Sequence, residues 1–223
     1  MRYLVLLIAG LLLLLTACAS FTGLVVKEPD NCLALEGKAK DNCYFEALKC
    51  SKMKDATFRD SCVTELAKLK KDAAVCSLIV TEDIKFGCLE QVAEINNDHT
   101  LCQRITGRYW EDNCHYHLAI QNNKDVYCSL IQSDSQRMDC FKTIALATNN
   151  SLLCEFLGEE EKEVCVYKVA VNLRDMELCA QLENPIDVDA CRYKIAKEGN
   201  EVKLCGAIKN SEIRKSCMES FGK

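Results

Sequence analysis

The sequence predicts an all-α fold: an α/α solenoid of about eight disulfide-stapled helical hairpins with a period of about 26 residues. Three observations support this prediction. Only two prolines and nine glycines interrupt the 223 residues, so long stretches are free to be helical. Runs of β-branched and aromatic residues with a period of two are absent from the sequence, which argues against a sheet. Sixteen of the seventeen cysteines recur at nearly regular spacings, and an internal repeat of this length indicates a solenoid or array.

The N-terminus predicts export and a lipid anchor. Arg2 precedes the apolar run 4–15 and small residues follow it, which is the order of a secretory signal. Leu15-Thr16-Ala17-Cys18 resembles the bacterial-type lipobox, in which the cysteine becomes the lipidated N-terminus. We therefore expect a signal peptide at 1–17, lipidation of Cys18 and a tether at 18–30. An uncleaved signal anchor is the alternative, because residues 3–26 lack charge and could span a bilayer. Both interpretations place the repeat domain, 31–223, on the extracytoplasmic face of a cell membrane or envelope.

The other sixteen cysteines define the repeat. From Cys50 onward their spacings alternate between 12 and 14 residues, except that Cys154 and Cys165 are 11 apart. We call the two cysteines of each repeat the first and the second. An apolar residue stands three positions after each first cysteine and four positions after each second one. These spacings place the apolar residue on the same helical face as its cysteine. The first set is Leu35, Met53, Ile79, Ile105, Ile131, Leu157, Leu182 and Ile208; the second is Ala47, Leu66, Val92, Leu118, Ile144, Val169, Ile195 and Phe221. Each repeat should contain a short helix of about two turns, a turn, and a longer helix of about three turns.

Two further features fit these hairpins. An alanine follows five positions after the second cysteine in six consecutive repeats, which suggests close approach of helices: Ala67, Ala93, Ala119, Ala145, Ala170 and Ala196. Asn-rich stretches such as 96–98, 122–125 and 148–151 lie between repeats. Asn tolerates the left-handed conformation that ends a helix, and Asp or Ser can cap the next one.

Two disulfide pairings compete, one across the 12-residue spacing and one across the 14-residue spacing. In the first, both cysteines lie about one turn from a shared loop, near 55–57 in the second repeat and at 158–161 in the sixth. The second leaves an offset of roughly 9 Å, whereas bridged Cα atoms lie about 4.4–6.8 Å apart. It also leaves Cys32 and Cys217 unpaired. The predicted bridges are therefore Cys32–Cys43, Cys50–Cys62, Cys76–Cys88, Cys102–Cys114, Cys128–Cys140, Cys154–Cys165, Cys179–Cys191 and Cys205–Cys217.

The sequence offers few candidates for other chemistry. Zinc and iron–sulfur sites usually need close pairs such as C-x-x-C, which are absent from the sequence, so we expect no metal and no cofactor. His115 and His117 are two residues apart and should point to different sides of a helix. The possible binding residues are Arg108, Tyr109 and Trp110, with Trp110 serving either in packing or as a stacking platform for a ligand. A net charge of −5 without a basic stripe argues against nucleic-acid binding.

The repeat core R/K-D-x-C-x-x-x-[LIV]-A resembles that of uncharacterised cysteine-rich helical-repeat lipoproteins of prokaryotic envelopes. Residues 59–62 with Leu66 and Ala67 match it best. The architecture is similar to that of Sel1-like and tetratricopeptide arrays, whose family role is protein binding. The resemblance covers about 31–223 and implies no particular site residue.

These observations predict a lipid-anchored, extracytoplasmic helical-repeat protein that acts as a protein-binding or envelope scaffold module. We expect a monomer attached to the membrane through its N-terminal lipid, with a protein partner of unknown identity and no enzymatic activity. An envelope enzyme of the hydrolase type and a purely structural spacer are the alternatives.

Overall fold

The computed structural model describes residues 30–222, so the predicted signal peptide and Cys18 lie outside the described residues. Within this range the chain consists of helices and their connections, without a strand, as the sequence predicts. None of the described helices combines the length and the apolar character needed to cross a membrane. The residues group into two compact units, one ending at Leu66 and one beginning at Ala67.

Eight repeats follow one another, each with a short helix that contains the first cysteine and a long helix that contains the second. The short helices are Asp30–Leu33, Cys50–Lys52, Val75–Leu78, His99–Arg104, Asp125–Cys128, Ser151–Phe156, Met176–Cys179 and Val202–Ala207. The long helices are Gly37–Glu46, Ala56–Lys70, Glu82–Asn96, Arg108–Asn122, Asp134–Thr148, Glu159–Leu173, Pro185–Gly199 and Ser211–Glu219. In the second unit the main contacts join elements of the same or adjacent repeats, which is the contact pattern of a repeat array.

The helix lengths differ from the prediction. Five of the eight short helices are 3-10 helices of three to six residues, and the other three are α-helices of four residues, shorter than the predicted two turns. The long helices of repeats 2 to 7 have 15 residues, about four turns. In the five repeats with a 3-10 helix, the apolar residue three positions after the first cysteine ends that helix in an extended conformation; Ile79, for example, has φ −78° and ψ 131°. This conformation allows the chain to reverse at once, so the long helix begins earlier than predicted.

The loop positions shift accordingly. The long helix of repeat 2 begins at Ala56, inside the loop predicted at 55–57. In repeat 6 the prediction of a loop over 158–161 is largely wrong, because Gly158 precedes the helix and Glu159–Glu161 form its first turn. The 11-residue spacing instead reflects a shorter connection, which consists of Leu157 and Gly158 alone.

Eight disulfides join the short and long helices, one in each repeat. They are the same eight pairs that the sequence predicts, and the paired Cα atoms lie 5.5–5.8 Å apart. Fifteen of the sixteen cysteines are buried, with Cys43 half-buried. Each bridge therefore closes its own hairpin and also fills the apolar interior. So many disulfides indicate an oxidising, extracytoplasmic location.

Repeats 2 to 7 end their long helices in the same way. The residue after the helix takes a left-handed conformation, and asparagine occupies this position at Asn97, Asn123, Asn149 and Asn200, with φ of 51–53°. In the second unit the next backbone N–H bonds to the carbonyl of the repeated alanine, as in Asp98 to Ala93 at 3.0 Å. This is the Schellman arrangement, which satisfies carbonyls that the helix itself leaves open. All six repeated alanines are fully buried, as the prediction of close helix packing requires.

Burial follows the predicted faces except near the ends of the array. The apolar residue after the first cysteine is buried in repeats 2 to 8, but Leu35 in repeat 1 is 38% exposed. The residue after the second cysteine is buried in repeats 3 to 7 and half-buried at Ala47, Leu66 and Phe221. A terminal repeat has a neighbour on one side only, so part of its apolar face stays open.

Buried carboxylates connect successive repeats. Asp41, Asp112 and Asp189 lie two residues before the second cysteine, and each accepts two backbone N–H groups from the next repeat. The donors are the last two residues before the following long helix. Glu163 accepts one such bond from Glu183 at 3.1 Å. The Asp of the repeat core thus has a structural role that the spacing of the cysteines does not reveal.

Candidate functional site

The three candidate binding residues begin the long helix of repeat 4. Gly107 precedes them with φ 112°, a conformation that suits glycine, and its carbonyl accepts the backbone N–H groups of Trp110 and Glu111 at 3.1 Å. Arg108 and Tyr109 are exposed, whereas Trp110 is half-buried. The helix start therefore presents the first two side chains outward and turns the third toward the body of the repeat.

Trp110 has a packing role. Its ring lies against Phe86 of repeat 3, with ring centroids 6.2 Å apart, and Phe86 is buried. Tyr109 meets Trp110 edge-on at 5.5 Å and remains 68% exposed. We call Phe86, Tyr109 and Trp110 the aromatic corner. Its exposed member, Tyr109, rests on the ring of Trp110, which in turn packs against Phe86.

The two histidines of the long helix in repeat 4 point to different sides, as the sequence predicts. His115 is 2% exposed, and burial lowers the pKa of its imidazole, with a further lowering by His99 that Asp112 partly offsets. The ring of His99 lies between His115 and Tyr127, at 6.4 and 5.3 Å. His115 is therefore a core residue that favours its neutral form.

His117 lies on the other side, with 54% of its side chain exposed, and meets two glutamates of repeat 3. Its Nε2 is 3.6 Å from Glu90 Oε1, and one ligand-type atom each of Glu90, Glu94 and His117 lie within 4.8 Å of one another. Burial raises the pKa of the Glu90 carboxyl; His117 opposes this shift and Glu94 adds to it. Sequence reasoning missed this group because its members come from neighbouring repeats. The signal was available: Glu90 and Glu94 are four residues apart, and His117 lies about one repeat later.

A cleft lies on the surface of the first unit. It has a volume of about 420 Å³ and is lined by Asn42, Phe45, Glu46, Phe58 and Ser61. Phe45 and Phe58 meet edge-on at 6.4 Å, and Phe58 is 40% exposed. Phe58 holds the position in repeat 2 that Trp110 holds in repeat 4, and Phe58 is the more exposed of the two.

Comparison with known proteins gives no relative: no family model, no curated protein and no solved structure matches the chain. The chain is a cysteine-rich, all-helical repeat protein with eight regularly spaced disulfides. Its function therefore has to be argued from its own residues.

Proposed function

We propose that this protein is a lipid-anchored, extracytoplasmic repeat protein that binds another protein through the aromatic corner. The observation on which the proposal rests is Tyr109, which is 68% exposed while its ring packs edge-on against Trp110. Exposed tyrosines held by a rigid surrounding lose little conformational entropy on binding, and tyrosine and tryptophan are enriched among the residues that dominate interface energies. Arginine is also enriched among these residues, and Arg108 stands next to Tyr109 in the sequence.

The repeat construction supports the same proposal. Disulfides within repeats and carboxylate bridges between them stiffen each hairpin and connect it to the next. Within the second unit, a rigid array of this kind supplies a surface on which a partner can dock without a large ordering cost. The lipid on Cys18 would hold the start of the repeat domain close to the membrane, because the twelve residues 19–30 of the tether reach at most about 40 Å.

A photo-crosslinking amino acid at position 109, introduced in the native cells, tests the binding proposal. We expect a discrete crosslinked adduct at position 109, lost when Arg108→Ala is added. The matched control is position 152, because Leu152 is similarly exposed, at 73%, but lies in repeat 6. The same adduct at both positions, or adducts at neither, would favour a purely structural spacer. Turnover of an envelope substrate by the purified chain would favour the hydrolase-type enzyme.

The lipid anchor has its own test. Mass spectrometry of the wild-type protein should find a mature chain that begins at residue 18 and bears a lipid, and Cys18→Ala should block cleavage. Recovery of a mature wild-type chain that retains residues 1–17 would contradict lipidation and favour an uncleaved signal anchor.

A further inference from the structure

Glu90, Glu94 and His117 bring three metal-ligating groups together between repeats 3 and 4. The two glutamates are one turn apart on the long helix Glu82–Asn96, and the histidine lies on the long helix Arg108–Asn122. The group arises where the two long helices of adjacent repeats pass each other, and these helices are in direct contact. The packing of repeat 3 against repeat 4 therefore brings the three side chains together.

Glu90 and His117 lie at ion-pair distance, but the two atoms are too far apart for a hydrogen bond. His117 Nε2 and Glu90 Oε1 are 3.6 Å apart, longer than the roughly 2.7–3.2 Å of a hydrogen bond. Ligand atoms around a tetrahedral Zn²⁺ lie about 3.3 Å from one another, because each bond is about 2.0–2.1 Å long. The separation is thus close to that between two atoms that share a metal ion.

The charges of the group also favour a dication. Like charges four residues apart on a helix destabilise it, and Glu90 is only 17% exposed, which makes its negative charge costly. A single imidazole can neutralise at most one of the two carboxylates. A divalent cation would neutralise both at once and leave the imidazole neutral as a nitrogen ligand.

We infer that Glu90, Glu94 and His117 form a Zn²⁺ site that links repeats 3 and 4. One imidazole nitrogen with two carboxylates suits zinc, whereas Ca²⁺ and Mg²⁺ prefer oxygen ligands alone. His117 is about half exposed, so water completes the coordination. The sixteen cysteines among the described residues are all in disulfides and supply no thiolate that competes for the ion.

The other repeats in the described part of the chain lack the combination of one histidine and two glutamates found between repeats 3 and 4. The position of His117 is filled by Glu65, Gln91, Thr143, Lys168 and Lys194 in other repeats. In repeat 7 an exposed lysine and glutamate, Lys194 and Glu198, form an ordinary ion pair at 3.0 Å instead. Among the described residues, Glu90, Glu94 and His117 are the one set of three or more such groups whose ligand atoms lie this close. The Lys194–Glu198 ion pair of repeat 7 therefore supplies a control variant for the experiment.

Calorimetric titration of the oxidised chain with Zn²⁺, purified without a polyhistidine tag, tests the inference. We expect saturable binding of one Zn²⁺ per chain, a higher unfolding temperature with the metal, and no comparable binding of Mg²⁺. His117→Ala and Glu94→Gln should each weaken binding at least about tenfold, since even residues that only support a metal ligand cost that much. Glu198→Gln, which removes an exposed glutamate of repeat 7, should leave binding unchanged.

Two results would overturn the inference. One is the absence of saturable Zn²⁺ binding in a wild-type chain whose circular dichroism shows an intact helical fold. The other is binding that survives both His117→Ala and Glu94→Gln, because the ion would then sit elsewhere. Neither result bears on the partner proposed for Tyr109, so the two proposals fail separately.

Discussion

The carboxylate of Asp112 in repeat 4 accepts the backbone N–H of Ser133 in repeat 5, at 3.0 Å. Its other oxygen accepts the N–H of Gln132 at 2.8 Å, and Asp112 is only 1% exposed. These donors lie where the chain enters its next long helix, which begins at Asp134. Two charge-assisted bonds therefore fix the start of one helix to the second turn of its neighbour.

Asp112→Asn should lower the free energy of unfolding of the second unit by about 1–3 kcal/mol, because one backbone donor loses its acceptor and the remaining bond loses its charge. Chemical denaturation followed by circular dichroism measures the change. Asp83→Asn is the control, since Asp83 is an exposed acid in the first turn of another long helix. Equal losses in the two variants would mean that Asp112 acts through net charge alone.

Removal of one disulfide, by Cys102→Ser with Cys114→Ser, should leave the helical content largely intact. The expected loss of stability is about 2–3 kcal/mol or less, because neighbouring repeats still pack on both sides of the open hairpin. Circular dichroism and thermal unfolding of the double variant test both expectations. Full reduction should be far more damaging, since every repeat then loses its bridge together. Equal effects of the two treatments would contradict the independence of the hairpins.

Arg174→Gly should raise stability by roughly 0.5–1 kcal/mol. Arg174 ends the long helix of repeat 6 with φ 55°, a conformation that is unfavourable for an ordinary side chain and easy for glycine. Asn123→Gly provides the comparison, because Asn123 has nearly the same φ of 51° and asparagine already tolerates it. Thermal unfolding should show a larger gain for Arg174 than for Asn123. A loss of stability in Arg174→Gly would indicate that its side chain makes a contact worth more than the backbone relief.

The second unit should lose stability as the pH falls below about 6.5, the ordinary pKa of histidine. Burial lowers the pKa of His115 in the folded chain, so the unfolded chain takes up its proton first and protonation favours unfolding. Above about pH 6.5 both states are neutral at this residue and its contribution is constant. Denaturation at pH 7.5 and pH 5.5 measures the effect, which His115→Gln should reduce. His117→Gln retains the buried imidazole and should keep the pH dependence; an unchanged dependence in His115→Gln would assign it to other groups.

The sequence by itself determined the hairpins, their disulfides and the ends of their long helices. These features are local: Cys102 and Cys114 are 12 residues apart, and a reversal of the chain between them suffices to bring them together. The left-handed residue at Asn97 follows from the preference of asparagine, and the burial of Ala93 follows from its place on the cysteine face. The lengths of the helices were less predictable, because one extended residue such as Ile79 moves both boundaries without changing the apolar pattern.

The tertiary structure alone decided which residues meet between repeats. Asp112 and Ser133 are 21 residues apart, and Glu90 and His117 belong to different hairpins, so their contacts depend on how one hairpin packs against the next. The same packing buries His115 and exposes His117 on one helix, and it sets Trp110 against Phe86 while Tyr109 remains open. The repeat period and the spacing of the cysteines determine which face of a helix is buried within its own repeat. The register between two faces comes from the fit of their side chains, which no single repeat contains.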